Sequence, residues 1–330
     1  MLKNCAILIA FIILLLPASG ALADTTDEAM LCGDLSAADC DIRLSHQAAM
    51  DALYSLAFSL SANISVEAEA PSESLSLSMN GAGRLAFDRE LMSQLEAMEA
   101  QAALNATAMA GLIETALSGL TGEISLMIAI DAEGELEEFP LDLLLKDGVI
   151  ALDFTALSGE SAGSEMSMGS LGISFAGLAE ALESEGAIPE SLQASPADIS
   201  ESALAQSMTI TRLPDSEVNG VSTAVFQTAL DADALTAIFD MTGLAKAEAA
   251  ANAPSATLHV FEYVGLADFL THRVELAMTD LPNPEPDALG AVNISLDMRI
   301  DFGGYNEPVE VSLPEDMMIM PLSMMMEMGQ

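Results

Sequence analysis

Residues 292–302 read Val-Asn-Ile-Ser-Leu-Asp-Met-Arg-Ile-Asp-Phe, in which apolar and polar residues alternate without a break. Successive side chains of a β-strand point to opposite faces of a sheet, so this stretch predicts a strand with one buried and one wet face. Such an apolar face must either be covered by other parts of the chain or hold something apolar.

The same two-sided pattern recurs along the chain and predicts a sheet of about eleven antiparallel strands. Lys146-Asp147-Gly148 and Asn219-Gly220 read as tight hairpin turns, because these residue types tolerate the positive φ that such turns need. Gly81 and Gly83 predict a bulge or a sheet corner. The run at 292–302 is expected to be the closing strand of the sheet. The predicted strands cover residues 58–67, 75–87, 122–131, 139–146, 148–154, 170–175, 207–213, 221–230, 256–264, 268–278 and 291–302.

Other segments show helical spacing. Residues 89–118 carry apolar side chains three, four and seven positions apart, which predicts an amphipathic helix or a pair of helices. Helices are also expected over 25–54, 176–184 and 231–246, and residues 186–205 are interpreted as a surface excursion. Helices inserted between antiparallel strands indicate an α+β fold with helices packed on one face of the sheet.

The N-terminus has the parts of a secretory signal. Lys3 is followed by an apolar stretch over 6–16 and by small residues before Asp24, so we expect a signal peptide over 1–23, with a retained anchor as the alternative. No downstream segment reads as a membrane-spanning helix. The chain is therefore expected to be exported, as a periplasmic, cell-surface or secreted protein. Its domains would be a single domain over 24–316 and a methionine-rich tail over 317–330.

The expected export places the cysteines in an oxidising compartment, and this determines how they are interpreted. Cys32 and Cys40 remain after signal cleavage, and in an oxidising compartment they predict a disulfide. A zinc site needs about four ligands, and the nearest histidine, His46, stands alone. Lipid attachment at Cys32 is rejected, since Met30 and Leu31 occupy positions where a lipoprotein signal has small residues.

The net charge of −42 comes from 51 acidic and 9 basic residues. It argues against nucleic acid and anionic membrane surfaces as partners, because both attract basic patches. Adaptation to high salt and simple solubility of a chain that is 51% hydrophobic both explain the acidity.

The sequence carries no pattern that points to catalysis, and we expect neither enzymatic activity nor a cofactor. His259 and His272 fall on adjacent predicted strands, but a nucleophile–base pair needs a positioned third group. No Gly-x-Ser-x-Gly elbow occurs, and carboxylates are so frequent that a close pair would arise by chance. The histidines are interpreted as structural.

Seven methionines crowd residues 317–328. Thioethers suit Cu(I), so a copper site that includes Met320, Met324 and Met328 is one hypothesis for the tail. A frayed terminus or an adaptable apolar strip is the other.

Two stretches in the second half resemble a known family. One runs from Thr211-Arg212-Leu213-Pro214 through Asn219-Gly220-Val221 to Asp231, and the other runs from Arg299-Ile300-Asp301-Phe302 through Tyr305-Asn306-Glu307-Pro308 to Pro314. They are similar to motifs of the LolA, LppX and LprG extracytoplasmic carriers, as is the hairpin at 262–276. The resemblance implies an open half-barrel of curved antiparallel sheet, with helices on its concave face and a lipid or acyl chain between them.

Pattern and resemblance together predict a non-enzymatic carrier or sensor of a hydrophobic small molecule or lipid, with a lipoprotein or envelope protein as a further partner. The segment 89–118 is the candidate lid. The alternatives are a ligand-free structural or interaction module of the cell envelope and a Cu(I)-binding protein. The inward side chains expected to line the cavity are Phe58, Leu60, Ile64, Leu75, Leu77, Ile128, Val225, Val260, Leu276, Ile294, Leu296 and Met298.

Overall fold

A computed structural model describes residues 32–68, 75–90, 111, 114–132, 135–153, 170–177, 208–230, 257–282, 292–315, 317–322 and 324. Its helix α1 precedes the first strand, and the strands follow in chain order. The bounds are α1 Ala37–Asp51, β1 Ser55–Ala68, β2 Leu75–Phe87, β3 Leu120–Ala132, β4 Glu135–Lys146, β5 Val149–Asp153, β6 Leu171–Ser174, β7 Met208–Val218, β8 Val221–Leu230, β9 Thr257–Gly265, β10 Thr271–Pro282, β11 Val292–Gly303 and β12 Met318–Pro321.

The described strands form one large open sheet, in the order β12-β6-β5-β4-β3-β2-β1-β11-β10-β9-β8-β7. All neighbours are antiparallel except β12 and β6, which run parallel. Each of the eleven predicted strands coincides with one of β1 to β11, so that part of the prediction is confirmed. The expectation that 292–302 closes the sheet is wrong: β11 lies in its middle, where it joins the two halves of the chain.

The register gives the sheet one apolar face across most of its width. One row of cross-strand partners passes through Phe226 and Glu262, then Val274, Ile300 and Leu60. Because paired residues point to the same side, this row defines what is called below the apolar face. Its neighbours along each strand point the other way, onto the polar face. The main hydrophobic core lies on the apolar face of β11, β1, β2, β3 and β4.

The two predicted hairpin turns are confirmed. Asp147 and Gly148 have φ of 52° and 73°, and Asn219 and Gly220 have φ of 50° and 84°. Positive φ at both central positions is the geometry of the hairpin turn whose twist matches the flanking strands.

The predicted bulge at Gly81 and Gly83 is wrong. Strand β2 pairs with β1 and β3 without a register shift. The glycines are needed instead because neighbouring side chains lie over them: a Cβ at Gly83 would come within 2.7 Å of Phe58 Cζ. A large side chain on β1 thus takes the space that a side chain on β2 would fill.

Helix α1 lies within the segment predicted to be helical over 25–54, mostly in its second half. Ser36 is its N-cap, and the Ser36 hydroxyl accepts a hydrogen bond from the backbone N–H of Asp39. The predicted disulfide between Cys32 and Cys40 is confirmed, and it joins the chain before α1 to its first turn. A disulfide is a bond of oxidising compartments, which agrees with the predicted export.

Several predictions lie outside the described residues. They are the signal peptide over 1–23, most of the helix over 89–118, the helix over 176–184 beyond residue 177, the excursion over 186–205 and the helix over 231–246. Part of the predicted tail is a strand, since Met318–Pro321 pairs with β6. Among the described helices, none is long and apolar enough to span a bilayer.

Candidate functional site

The apolar face of the central strands changes in exposure along its length. At one end, Leu56, Phe58, Leu60 and Leu85 are buried in the core. Towards the other end of the same strands, the apolar side chains become only half-buried. This half-buried stretch, called the apolar strip below, consists of Ile64, Leu75, Leu77, Ile128, Ile130, Val260, Leu276 and Leu296.

The structure brings most of the predicted cavity residues together. Ile294 apart, all of them except Val225 occupy the apolar face by register, and Phe58, Leu60 and Met298 belong to the buried core there. For Ile294 the structure gives the backbone pairing of β11 with β1, opposite Val66. Val225 lies on the polar face, because it follows the apolar-face residue Ala224 and pairs with Tyr263.

Helix α1 covers the apolar face at the β7–β9 end of the sheet. A small cluster of Ala224, Phe226 and Val264 is fully buried there, and Leu35 and Ile42 pack against it from the helix side. Two guanidinium groups lie near the Phe226 ring, with Arg43 5.2 Å and Arg212 5.4 Å from its centroid. Cations over an aromatic face are attracted to it, and more strongly away from water.

A buried charge network fixes α1 to β9. Glu262 receives a hydrogen bond from Arg43 at 3.0 Å and faces His46 Nε2, also at 3.0 Å. The opposite ring nitrogen, His46 Nδ1, lies 2.8 Å from the carbonyl oxygen of Phe269, in the turn between β9 and β10. On the next strand, the Thr271 hydroxyl is 3.3 Å from His46 Nε2. The network is called the α1 anchor below.

The α1 anchor shifts the acidity of its members in opposite directions. Burial alone would raise the pKa of Glu262, but hydrogen bonds and charge from His46 and Arg43 outweigh it and lower that pKa to about 2. Burial alone would lower the pKa of His46, but the hydrogen bond to Glu262 and its negative charge raise it above the ordinary value.

A second ion pair ties the first turn of α1 to the edge strand. Arg212 Nε lies 3.2 Å from Asp39 Oδ1, and Arg212 also contacts Asp215 within β7. Strand β7 contains Pro214 next to a shift in register between Leu213 and Ser216. An edge strand tolerates a proline because one side of its backbone needs no partner.

The polar face carries an open depression of about 430 Å³ between β9, β10, β11 and β1. Asp301 on its wall accepts hydrogen bonds from Arg273 and Arg299, each at 2.7 Å. Burial opposes ionisation of Asp301, but these hydrogen bonds hold its pKa below the usual value. The polar residues that line the depression include Ser59, Ser61, Asn63, Glu275, Asp297, Arg299 and Asp301.

The two strand histidines do not form a pair. His259 lies opposite Ala277, near the far end of β10 from His272, and its ring contacts Gln227 at 3.0 Å. His272 Nε2 lies 3.0 Å from Asp268 in the β9–β10 turn. No group of three or more His, Cys, Asp or Glu side chains suited to a metal occurs among the described residues. Of the methionines suggested for copper, Met320 belongs to β12, Met324 is exposed, and Met328 lies outside the described residues.

The α1 anchor was not predicted, although the sequence contains a signal for it. In β9, Glu262 stands at an apolar-face position between Val260 and Val264, where alternation calls for an apolar residue. A charge at such a position must be paired when it is buried. That irregularity pointed to a cationic partner from another element, but not to Arg43 and His46.

Comparison with known proteins gives likenesses of fold. No family model matches this chain, and no curated protein matches it. The lipoprotein LppX of Mycobacterium tuberculosis is similar with 8% identity and a TM-score of 0.33, over 87% of this chain and 100% of that chain. LprF from Mycobacterium bovis is similar with 10% identity and a TM-score of 0.31, over 83% of this chain and 94% of that chain.

The complex of MucA and MucB from Pseudomonas aeruginosa has 8% identity and a TM-score of 0.23, over 84% of this chain and 58% of that chain. These comparisons state what the chain is similar to, and its function is argued below from its own residues.

Proposed function

We propose that this chain is an exported, non-enzymatic protein that binds an apolar ligand, a lipid or acyl chain, as a carrier or sensor. The ligand would lie on the apolar strip of a curved sheet, between the sheet and its helices, with the segment 89–118, for which the sequence predicts a helix, as the lid. The observation that carries this proposal is the half-buried state of the apolar strip, whose side chains continue the buried core along the same strands.

Burial would supply the affinity. Each CH₂ group that moves from water to an apolar surface contributes about 0.8 kcal/mol. An acyl chain of about 16 carbons would therefore gain on the order of 10 kcal/mol before the cost of ordering the chain and the lid. Side chains that are already half-buried and held on strands lose little freedom when a ligand covers them, which favours binding.

Purification without detergent, followed by organic extraction and mass spectrometry, tests the proposal directly. We expect a lipid or acyl compound to accompany the protein, and the neutral apolar fluorophore N-phenyl-1-naphthylamine to bind to protein from which it has been removed. If nothing is extracted and the fluorophore is not taken up, the sheet is filled by its own helices and the chain is a structural module.

Adjacent residues of β3 provide a matched pair of variants. Ile128 lies on the apolar strip, whereas Met127 is 41% exposed on the polar face. Ile128→Gln should weaken binding of the fluorophore at least about tenfold, since an aliphatic side chain contributes roughly 1.5–3 kcal/mol when fully covered. Met127→Gln should leave binding unchanged. Equal loss in both variants would place the ligand elsewhere.

A further inference from the structure

Helix α1 borders the apolar strip. Its anchoring partner Glu262 stands two residues from Val260 on the same face of β9, and Val260 pairs with Leu276 of the strip. The surface under the helix, formed by Phe226 and its neighbours, is apolar and fully buried. Removal of α1 would therefore expose Ala224, Phe226 and Val264 on the same face as the apolar strip, with the Glu262 carboxylate between Val264 and Val260.

The geometry around His46 requires both ring nitrogens to carry hydrogen. The Phe269 carbonyl oxygen at 2.8 Å from Nδ1 can only accept, and the ionised Glu262 carboxylate at 3.0 Å from Nε2 can only accept. A neutral imidazole has one N–H, so it leaves one of these acceptors facing a nitrogen lone pair. Docked α1 therefore holds the imidazolium form, at a site where the side chain is almost completely buried.

Few other charged groups lie close enough to His46 to replace its positive charge when the proton leaves. Arg43 of α1 would remain opposite Glu262 of β9, while β10 presents the neutral Thr271 hydroxyl. In the β9–β10 turn, Asp268 is paired with His272 rather than with His46. The raised pKa of His46 agrees with this geometry, since the docked state favours the charged form.

The turn that supplies the carbonyl oxygen is itself unusual. Phe269 has φ of +60°, which is uncommon for a bulky residue. The backbone N–H of Phe269 donates to the Gly265 carbonyl at 2.9 Å, and the turn directs the Phe269 carbonyl oxygen at His46. Such a conformation persists where its surroundings hold it, so helix docking and turn geometry support each other.

We propose that α1 is a proton-controlled latch on the apolar face: it is docked while His46 is an imidazolium and released when that proton leaves. Release opens the β8–β10 end of the apolar strip. That this opening admits a ligand rests on the proposed function, whereas the latch itself does not.

Hydrogen exchange tests the latch without any ligand. Exchange of the α1 amides is measured at about pH 6 and about pH 9 and corrected for the intrinsic rate, with the amides of β1 and β2 as internal reference. Between the ordinary pKa of an imidazole and the raised docked-state pKa of His46, each pH unit weakens docking about tenfold, and above the docked-state pKa the loss is complete. We expect protection of α1 to fall by the factor that separates these two pKa values, while the reference strands are unchanged. Equal protection of α1 at both pH values would overturn the proposal.

His46→Gln and His259→Gln are the paired variants. His259 is half-buried on the polar face, away from α1, so its substitution should retain the wild-type response. In His46→Gln the protection of the α1 amides, corrected for the intrinsic rate, should no longer depend on pH. A wild-type response in this variant would assign the effect to another group.

Should His46→Gln fail to fold, titration of the wild-type imidazole by NMR decides the matter. A His46 pKa above 6.5 supports the latch, and a value at or below 6.5 overturns it. Uptake of N-phenyl-1-naphthylamine is then compared at the two pH values. Stronger uptake at high pH supports ligand access through the released end. Equal uptake at both pH values means that the latch controls the docking of α1 but not the entry of the ligand. No uptake at either pH contradicts the proposed function while leaving the exchange result intact.

Discussion

Substitution of Glu262 by Gln should destabilise the protein far more than loss of any surface carboxylate. The carboxylate receives charge-assisted hydrogen bonds from Arg43 and His46, each at 3.0 Å, and the Arg43 and Glu262 side chains are only 14% and 16% exposed. Removal of one partner from a buried ionic network costs about 3–5 kcal/mol, because the remaining charge stays buried without compensation. The amide of Gln retains neutral hydrogen bonds, so we expect a loss near the lower end, about 3 kcal/mol.

Urea unfolding at pH 6, followed by far-UV circular dichroism, measures this loss. With a slope of about 3 kcal/mol per molar urea, the midpoint should fall by roughly 1 M. Glu123→Gln is the matched control, because it removes a carboxylate paired with Arg84 on the exposed polar face, where such a pair is worth less than about 1 kcal/mol. If Glu262→Gln and Glu123→Gln lower the midpoint equally, the α1 anchor does not stabilise the fold.

Three further outcomes follow from the structure. Stability should be greatest between about pH 4.5 and 6.5. Ionised Glu262 stabilises the fold above its unfolded pKa, and this contribution is lost as the pH falls towards 2. Protonated His46 stabilises the fold below its unfolded pKa, and this contribution is lost as the pH rises through the raised folded-state pKa. A flat urea midpoint across pH 2–9 would contradict this. Reduction of the Cys32–Cys40 disulfide should lower the free energy of unfolding by about 2–3 kcal/mol, checked by calorimetry with and without reductant. Gly83→Val should cost roughly 1–3 kcal/mol because an aromatic ring occupies the space, whereas an unchanged melting temperature would show that the ring moves aside freely.

The strands were predictable because one face of the sheet is apolar and the other is polar and exposed to solvent. Alternation marks most of the strands from β1 to β11, and the Asp147-Gly148 and Asn219-Gly220 turns supply the positive φ that two hairpins need. The order of the strands was not predictable from such local patterns. Nothing in residues 292–302 indicates that they pair with β1 on one side and β10 on the other. Strand β12 is short and lacks alternation, so its pattern did not mark it as a strand.

The functional surface was predictable only in part. Alternation correctly assigns Leu77 and Ile128 to the same face of the sheet. For β8, the choice of which alternate residues point to the apolar face was wrong by one position, and such a one-residue error reverses every side chain of a strand, so Val225 lies on the polar face. The α1 anchor depends on contacts between residues more than 200 positions apart, such as His46 and Glu262. Sequence periodicity describes neighbours along the chain and carries no information about such pairs.

The pairing of β1 with β11 has a consequence for how the protein is made. Residues 57–68 pair with residues 292–303, so the last long strand to leave the ribosome is also an interior strand of the sheet. Until it arrives, β1 has a neighbour only on the β2 side, and its other edge, long and apolar on one face, is a template for pairing with another chain. Contacts between distant parts of a chain also form slowly. Truncation before residue 292 should therefore leave this edge of β1 without a partner and promote aggregation of the shortened chain.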